Sequence, residues 1–296
     1  MDLGGAKETI ARASVPLLGL ALAALLATVP INALRWHVIL KAAGFSLRCG
    51  TLLKLLFVGL FFNQILPSGV GGDAVRIWRC LRLGIGLAAA IRSVLLDRAS
   101  GYFVLVVLYA GTLPVLLGLL PTVAQRGIAL AVLGLTLLVM VALGFMDRLP
   151  SRIFFQFLLL RRLAELSQET RRLFACPKRS GIVLGLSVVT IGLTTLSCML
   201  VGNSVGADLS FATWLLVLPP VTLIQLLPIS LAGWGVRELG LVVALTTFGI
   251  PAETALANSL LIGFCLVVVG LPGALIWVVD WDIARRPTIT DHEGFY

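Results

Sequence analysis

Long apolar runs separated by short polar segments extend along nearly the whole chain. The runs occupy residues 14–34, 51–66, 93–120, 127–146, 181–203, 209–227 and 239–279, the last being interrupted near Gly249 and Pro251. A helix needs about 20 apolar residues to cross the hydrocarbon core of a bilayer. No run alternates as a strand of a membrane β-barrel would. The pattern therefore predicts an all-α, polytopic integral membrane bundle with about six to eight membrane segments.

Composition supports this interpretation. Of the 296 residues, 59% are hydrophobic and 12% are charged, and the mean hydropathy is +1.04. Soluble domains contain roughly 45–50% apolar and about 25% charged residues, so a soluble globular protein is excluded. The run 14–34 is longer than the apolar core of a signal peptide and lacks a convincing cleavage site, so we expect it to remain as the first membrane helix. We expect a single transmembrane domain over residues 1–296.

The distribution of charge predicts the topology. The formal net charge is +9, and basic residues are concentrated in three segments, 35–54, 76–92 and 147–180. Arg35 begins the first segment, and the third has eight basic residues against three acidic ones. Because cytoplasmic loops are enriched in Lys and Arg, these segments and the C-terminus are predicted to be cytoplasmic. Tryptophans near the ends of the runs fit the aromatic belt at the membrane interface: Trp36, Trp214, Trp277 and Trp281.

These assignments agree with one another only if residues 51–92 enter and leave the membrane on the cytoplasmic side. We therefore predict a re-entrant hairpin there, broken between Pro67 and Gly72. A Pro- and Gly-rich break at membrane depth must line protein or water, because its backbone groups cannot be satisfied by lipid.

A second copy of this break occurs later in the chain, at a constant offset of 161 residues. Six identities carry it: Gln64, Leu66, Pro67, Gly72, Val75 and Arg76 recur as Gln225, Leu227, Pro228, Gly233, Val236 and Arg237. We interpret this as an internal repeat. Its halves are 14–120 and 181–282, joined by a connecting helix and a basic cytoplasmic loop within 127–180. Three predicted crossings separate the breaks, so the halves should be inverted, and paired broken helices of this kind point to the midplane site of a transporter.

The candidate substrate-binding residues lie in and after the two breaks. They are Gly71, Gly72, Asp73, Arg76, Asp97, Arg98, Gly233, Gly235, Arg237 and Glu238. Glycines let the backbone approach a ligand, arginine can hold a phosphate through two N–H groups, and ionisable side chains within membrane helices are costly unless paired or functional. Each also has a structural interpretation: a turn, a headgroup-tracking row of arginines, or an ion pair that only braces the fold.

Other polar residues at the breaks are assigned structural roles. Asn63, Gln64 and Gln225 can satisfy backbone groups released by the broken helices, and Pro67 and Pro228 break them. The five cysteines and two histidines show no metal-binding or redox spacing. We therefore expect no metal, no cofactor and no catalytic residue, and the basic charge is explained by topology rather than by nucleic acid.

Three motifs in order resemble a known family. They are N-x-x-L-P-x-G-x-G-G-D-x-x-R from Asn63 to Arg76, S-V-L-L-D-R-A-S-G from Ser93 to Gly101, and L-P-I-S-x-x-G-W-G-x-R-E from Leu227 to Glu238. The chain resembles the lysylphosphatidylglycerol synthase transmembrane region. This flippase-like family includes the membrane half of the multiple peptide resistance factor, an archaeal glycosylation-associated protein and a hopanoid-biosynthesis-associated protein.

The resemblance implies a multi-pass protein of a bacterial or archaeal inner membrane that moves, or helps to move, a lipid or lipid-linked head group between leaflets. The lipid could be of phospholipid, hopanoid or polyprenyl type. We expect no synthase activity, since the soluble aminoacyl-transferase domain of the bifunctional members is absent from this sequence. Two alternatives stay open: an accessory or scaffold subunit that binds lipid and biosynthetic partner proteins, and an enzyme acting on a membrane lipid.

Overall fold

The computed structural model describes residues 3–66, 71–145, 176–225 and 235–279, and every regular element within these ranges is a helix. The helices are α1 (Leu3–Ala11), α2 (Val15–Ala42), α3 (Cys49–Ile65), α4 (Gly71–Arg82), α5 (Leu87–Leu119), α6 (Val123–Phe145), α7 (Pro177–Ser204), α8 (Phe211–Ile224), α9 (Val236–Thr247) and α10 (Ala252–Val279). Five of them, α2, α5, α6, α7 and α10, are long and apolar enough to cross a membrane, and α3 and α8 are shorter apolar helices. The predicted all-α polytopic bundle is confirmed.

Some predictions concern residues that lie outside these ranges. Pro67, Pro228, Gly233, Trp281 and most of the basic segment 147–180 belong to this group. The re-entrant path of each break and the cytoplasmic position of the basic segment stay predictions.

The central helices pack tightly, whereas α6 lies at the periphery. The most extensive helix–helix packing is between α2 and α7, followed by that of α3 against α10 and against α4. α6 contacts mainly α5 and α8, and most of its apolar side chains are exposed. Exposed apolar side chains on a membrane helix suit a lipid environment. The core of the bundle is therefore formed by the other long helices together with shorter ones such as α3, α4 and α8.

The helix bounds follow the offset of 161 residues. Shifted by 161, α2 covers 176–203 and α5 covers 248–280, close to the observed bounds of α7 and α10. Packing is also reciprocal, because α3 of the first half packs on α10 while α8, its counterpart, packs on α5. The two halves therefore have the same helix order; the inversion of one relative to the other stays a prediction.

Glycine permits the close packing of α3 against its neighbours. A Cβ atom on Gly72 would overlap the carbonyl oxygen of Gly59, and one on Gly273 would overlap that of Phe57. The backbone N–H of Gly72 donates a hydrogen bond to Asn63 Oδ1 at 2.8 Å. Since Gly72 and Gly59 belong to α4 and α3, this contact fixes the spacing of the two helices that flank the first break.

The structure differs from the aromatic-belt prediction at Trp36 and Trp214, which are both fully buried. α2 continues to Ala42, so Trp36 lies within the helix and faces the core instead of marking its end. Trp277 packs edge-on against Phe62, with ring centroids 4.8 Å apart.

Candidate functional site

Asp97 lies at the centre of a buried cluster of charged side chains. Its Oδ1 accepts a hydrogen bond from Arg35 Nε, and its Oδ2 accepts one from Arg76 Nη2, both at 2.9 Å. Asp97 is 3% exposed, Arg76 5% and Arg35 8%. Because a buried carboxylate requires opposite charge and hydrogen bonds, this residue ties α5 to both α2 and α4.

Asp73 of α4 extends the cluster to Arg98 of α5. Its Oδ1 lies 3.4 Å from Arg76 Nη1 and its Oδ2 lies 2.7 Å from Arg98 Nε. Positive and negative charges therefore alternate from Arg35 through Asp97, Arg76 and Asp73 to Arg98. We call these five side chains the charge chain. Its three guanidinium groups and two carboxylates have one net positive charge. The Arg98 side chain is 33% exposed, which makes it the most accessible member.

Aromatic and hydroxyl groups hold the arginines in place. The guanidinium of Arg76 lies over the Trp36 ring, 4.0 Å from its centroid, a favourable cation–π geometry. Trp36 Nε1 donates to Ser93 Oγ at 3.3 Å, and Arg35 Nη1 donates to Ser187 Oγ at 3.1 Å. Since Ser187 belongs to α7, the charge chain is connected to the second half of the bundle.

The charge chain lines one side of a cavity of about 310 Å³. Side chains from α2, α3, α4, α5, α7 and α8 surround it. Besides the five charged residues, the lining includes a set of hydroxyl and amide groups: Asn32, Asn63, Ser187, Thr190, Thr194, Thr195 and Thr222. The rest is largely aliphatic, as at Leu60 and Leu105. Such a cavity offers hydrogen-bond donors to an oxyanion on one side and apolar contact elsewhere.

The hydroxyl groups on α7 offer mainly acceptors to the cavity. Thr190, Thr194 and Ser187 donate to the carbonyl oxygens four residues earlier, at 2.9 to 3.0 Å. A hydroxyl has one proton and two lone pairs, so its remaining capacity is to accept. These α7 hydroxyl groups, the hydroxyl wall of the cavity, can therefore accept hydrogen bonds from the hydroxyl or ammonium groups of a polar ligand.

Four candidate residues from the first half come together in this cavity: Asp73, Arg76, Asp97 and Arg98. Gly71 and Gly72 begin α4; Gly72 lies against α3, and a Cβ on Gly71 would overlap the side chain of Leu66, the residue that follows α3. Asp73 and Arg76 are three residues apart on α4, and their ion pair shows that they share one face of this helix.

The candidates from the second half form a separate cluster. Arg237 is buried and its Nη2 lies 2.6 Å from Glu238 Oε1, while the second carboxylate oxygen of Glu238 accepts from the N–H of Gly235. Gly235 has a φ of 86°, a conformation that favours glycine. None of the three is among the described residues that line the cavity. Gln225 Nε2 donates to the Val221 carbonyl, as expected for a polar side chain beside a helix break.

Sequence reasoning missed Arg35, which it grouped with the cytoplasmic bases. The structure instead places Arg35 inside α2, buried against Asp97. A basic residue at the end of an apolar run has the same local pattern whether it faces the cytoplasm or a buried acid. The useful signal was Asp97 itself, because a carboxylate in a membrane helix requires a cation from elsewhere.

The family model for the lysylphosphatidylglycerol synthase TM region matches residues 1–273. The chain belongs to this family. The match covers all five members of the charge chain and all three motifs, and it confirms the resemblance that these motifs carry. No curated protein and no solved structure matches the chain. This member of the lysylphosphatidylglycerol synthase TM region family is thus a multi-pass helical membrane protein with a charged cavity in its bundle.

Proposed function

We propose that this family member translocates, or helps to translocate, a lipid or lipid-linked head group across the inner membrane. The observation that carries the proposal is the charge chain lining a cavity inside a bundle of membrane helices. Ionisable side chains within membrane segments are costly and mark substrate paths in transporters. No covalent chemistry is proposed for the site, whose role is to bind and release.

Charge and shape favour an anionic head group. The charge chain has one net positive charge, which an oxyanion of the lipid would neutralise. Arginine suits this role because its planar guanidinium can donate two parallel N–H groups to one phosphate. Arg98, the most accessible of the three, is the group that a head group would meet first. The hydroxyl wall of α7 would contact the polar part of the lipid, and the aliphatic lining its acyl or isoprenoid part.

The repeated helix order supports an alternating-access mechanism. Transporters built from inverted repeats move one half against the other around a site near the midplane. In this proposal the halves are α2–α5 and α7–α10, and the cavity lies where α7 and α8 meet the first half. In the same proposal the C-terminus and residues 147–180 lie on the cytoplasmic side, which their positive charge favours.

Arg98→Gln tests this proposal with little risk to the fold, because Arg98 is only partly buried. We expect the variant to move a fluorescent phosphatidylglycerol between the leaflets of reconstituted vesicles about tenfold more slowly, since it loses a charged hydrogen bond to the head group. Reduction of the fluorophore by an impermeant reagent measures the leaflet distribution. Arg12→Gln is the matched control, because Arg12 is paired to Glu8 on the surface at 83% side-chain exposure.

Lipid retention separates translocation from the alternatives. In native-membrane nanodiscs, the wild-type protein should enrich an anionic or isoprenoid lipid that the Arg76→Ala, Arg237→Ala double variant loses. Equal lipid profiles together with an unaltered leaflet distribution would contradict the proposal and favour a scaffold acting through residues 147–180. A change in the mass of the lipid would favour an enzyme.

A further inference from the structure

Asn258 is a buried polar side chain for which the described part of the chain provides no partner. It is 0% exposed, and neither Oδ1 nor Nδ2 makes a hydrogen bond; Ser259 Oγ is in the same position. The five consecutive residues 255–259 of α10 are all buried, so the helix is enclosed on every side at this level. Burying an amide without a partner costs free energy, and such groups are uncommon in native structures.

The offset of 161 residues makes Asn258 the counterpart of Asp97 in the second half. It relates Asp97 to Asn258 and Arg76 to Arg237. α4 packs against α5 in the first half, and α9 packs against α10 in the second. Arg76 and Asp97 are joined by an ion pair of 2.9 Å, whereas Arg237 is paired to Glu238 and Asn258 has no hydrogen-bond partner among the described residues. The second half thus contains the same two positions in an unjoined arrangement.

We propose that Asn258 and Arg237 form a second binding site for the phosphate of the transported lipid, closed in this structure and assembled in the opposite access state. The inference rests on the proposed function and adds where the head group is held after it leaves the charge chain. An amide N–H and a guanidinium are both donors suited to an oxyanion. The unused N–H donor of Asn258 would be satisfied if a ligand oxygen accepted its hydrogen bond in another state.

The residue type supports this assignment. A carboxylate at position 258 would be expected to hold Arg237 as Asp97 holds Arg76, and it would repel a phosphate. An amide leaves Arg237 able to exchange its partner. Because Glu238 balances the charge of Arg237, this second site is neutral and would hold an anion less strongly than the positively charged chain does. Weaker binding at the second site is compatible with release there.

Asn258→Leu distinguishes a ligand site from a structural amide, because the two roles predict opposite combinations of effects. Leucine has a similar size and removes the unpartnered polar atoms. We expect the melting temperature in detergent to rise by about 2–8 °C. We also expect the rate of phosphatidylglycerol movement in vesicles to fall at least about tenfold. A residue that only supports the fold would not combine greater stability with loss of transport.

Asn203→Leu is the matched control. Asn203 also has a buried Oδ1 for which the described ranges supply no partner, but it lies near the end of α7, outside both proposed sites. The Asn203→Leu variant should be more stable than the wild type and should still transport the lipid. A second variant, Asn258→Asp, keeps the shape and adds negative charge, and it should also stop transport by occupying Arg237.

The possible outcomes are separable. If Asn258→Leu lowers the melting temperature, Asn258 is a structural partner and the inference is overturned. If the variant is more stable and transports normally, the amide is merely tolerated and the inference is again overturned. Failure of the wild-type protein to move the lipid would instead overturn the proposed function, and this inference with it.

Discussion

Asp97→Asn is expected to lower the free energy of unfolding by about 3–5 kcal/mol, the usual effect of removing one partner from a buried ion pair. Asp97 neutralises two buried guanidinium groups, those of Arg35 and Arg76, and it joins α5 to α2 and α4. In the variant, three buried or partly buried arginines share the single carboxylate of Asp73. Equilibrium unfolding in mixed detergent micelles measures the change, and transport should be lost as well.

A matched change at the surface provides the control. Glu8→Gln makes the same carboxylate-to-amide replacement in a pair that is more than three-quarters exposed, with 4.0 Å between Glu8 and Arg12. Its effect should stay below about 1 kcal/mol, because exposed ion pairs contribute little. Adding Arg35→Gln to Asp97→Asn should recover part of the lost stability, since it removes a cation left without its partner. Equal effects of Asp97→Asn and Glu8→Gln would show that the charge chain does not stabilise the bundle.

Gly72→Ala is the second change with a large expected effect, a loss of about 3 kcal/mol. The added methyl group would overlap the Gly59 carbonyl oxygen and approach Asn63 Oδ1. Backbone atoms of α3 cannot rotate away as a flexible side chain can, so α3 and α4 must separate. Separation breaks the hydrogen bond from Gly72 to Asn63 and displaces Arg76, whose side chain packs on Gly59. Thermal unfolding and the vesicle assay should both report the defect.

Gly111→Ala tests whether the defect comes from the close contact. Gly111 lies in the interior of α5, and a Cβ there would meet no atom within 4 Å. Alanine at such a position should stabilise the helix by about 0.5–1 kcal/mol, because it restricts the unfolded backbone. If Gly72→Ala proved as harmless as Gly111→Ala, the contact between α3 and α4 would not require glycine.

The apolar runs predicted the helices well because a membrane helix is specified by length and hydropathy alone. The bounds were less well predicted where a charge is buried. α2 extends past Arg35 to Ala42, since Asp97 neutralises Arg35 inside the bundle and this charge does not end the helix. Hydropathy treats Arg35 as a boundary, because it does not include a partner 62 residues away.

The candidate site was half predicted. Motif spacing identified Asp73, Arg76, Asp97 and Arg98, which share one cavity. The hydroxyl wall was missed, because serine and threonine in a membrane helix can satisfy themselves on their own carbonyl groups and show no pattern. Trp36 was missed for another reason: its place near the end of an apolar run resembles that of an interfacial tryptophan, although it lies under Arg76.

In the predicted topology, the peripheral helix α6 decides on which side of the membrane α7 begins. With α3 and α4 returning to the face that they enter, as the sequence predicts, α2, α5 and α6 make three crossings before α7 begins. Without α6 the count would be even, and the same two four-helix units would be joined in parallel. α6 has few core contacts. Its contribution to the architecture would then be to make the number of crossings before α7 odd. Its sequence should accordingly accept any apolar substitution that preserves its length.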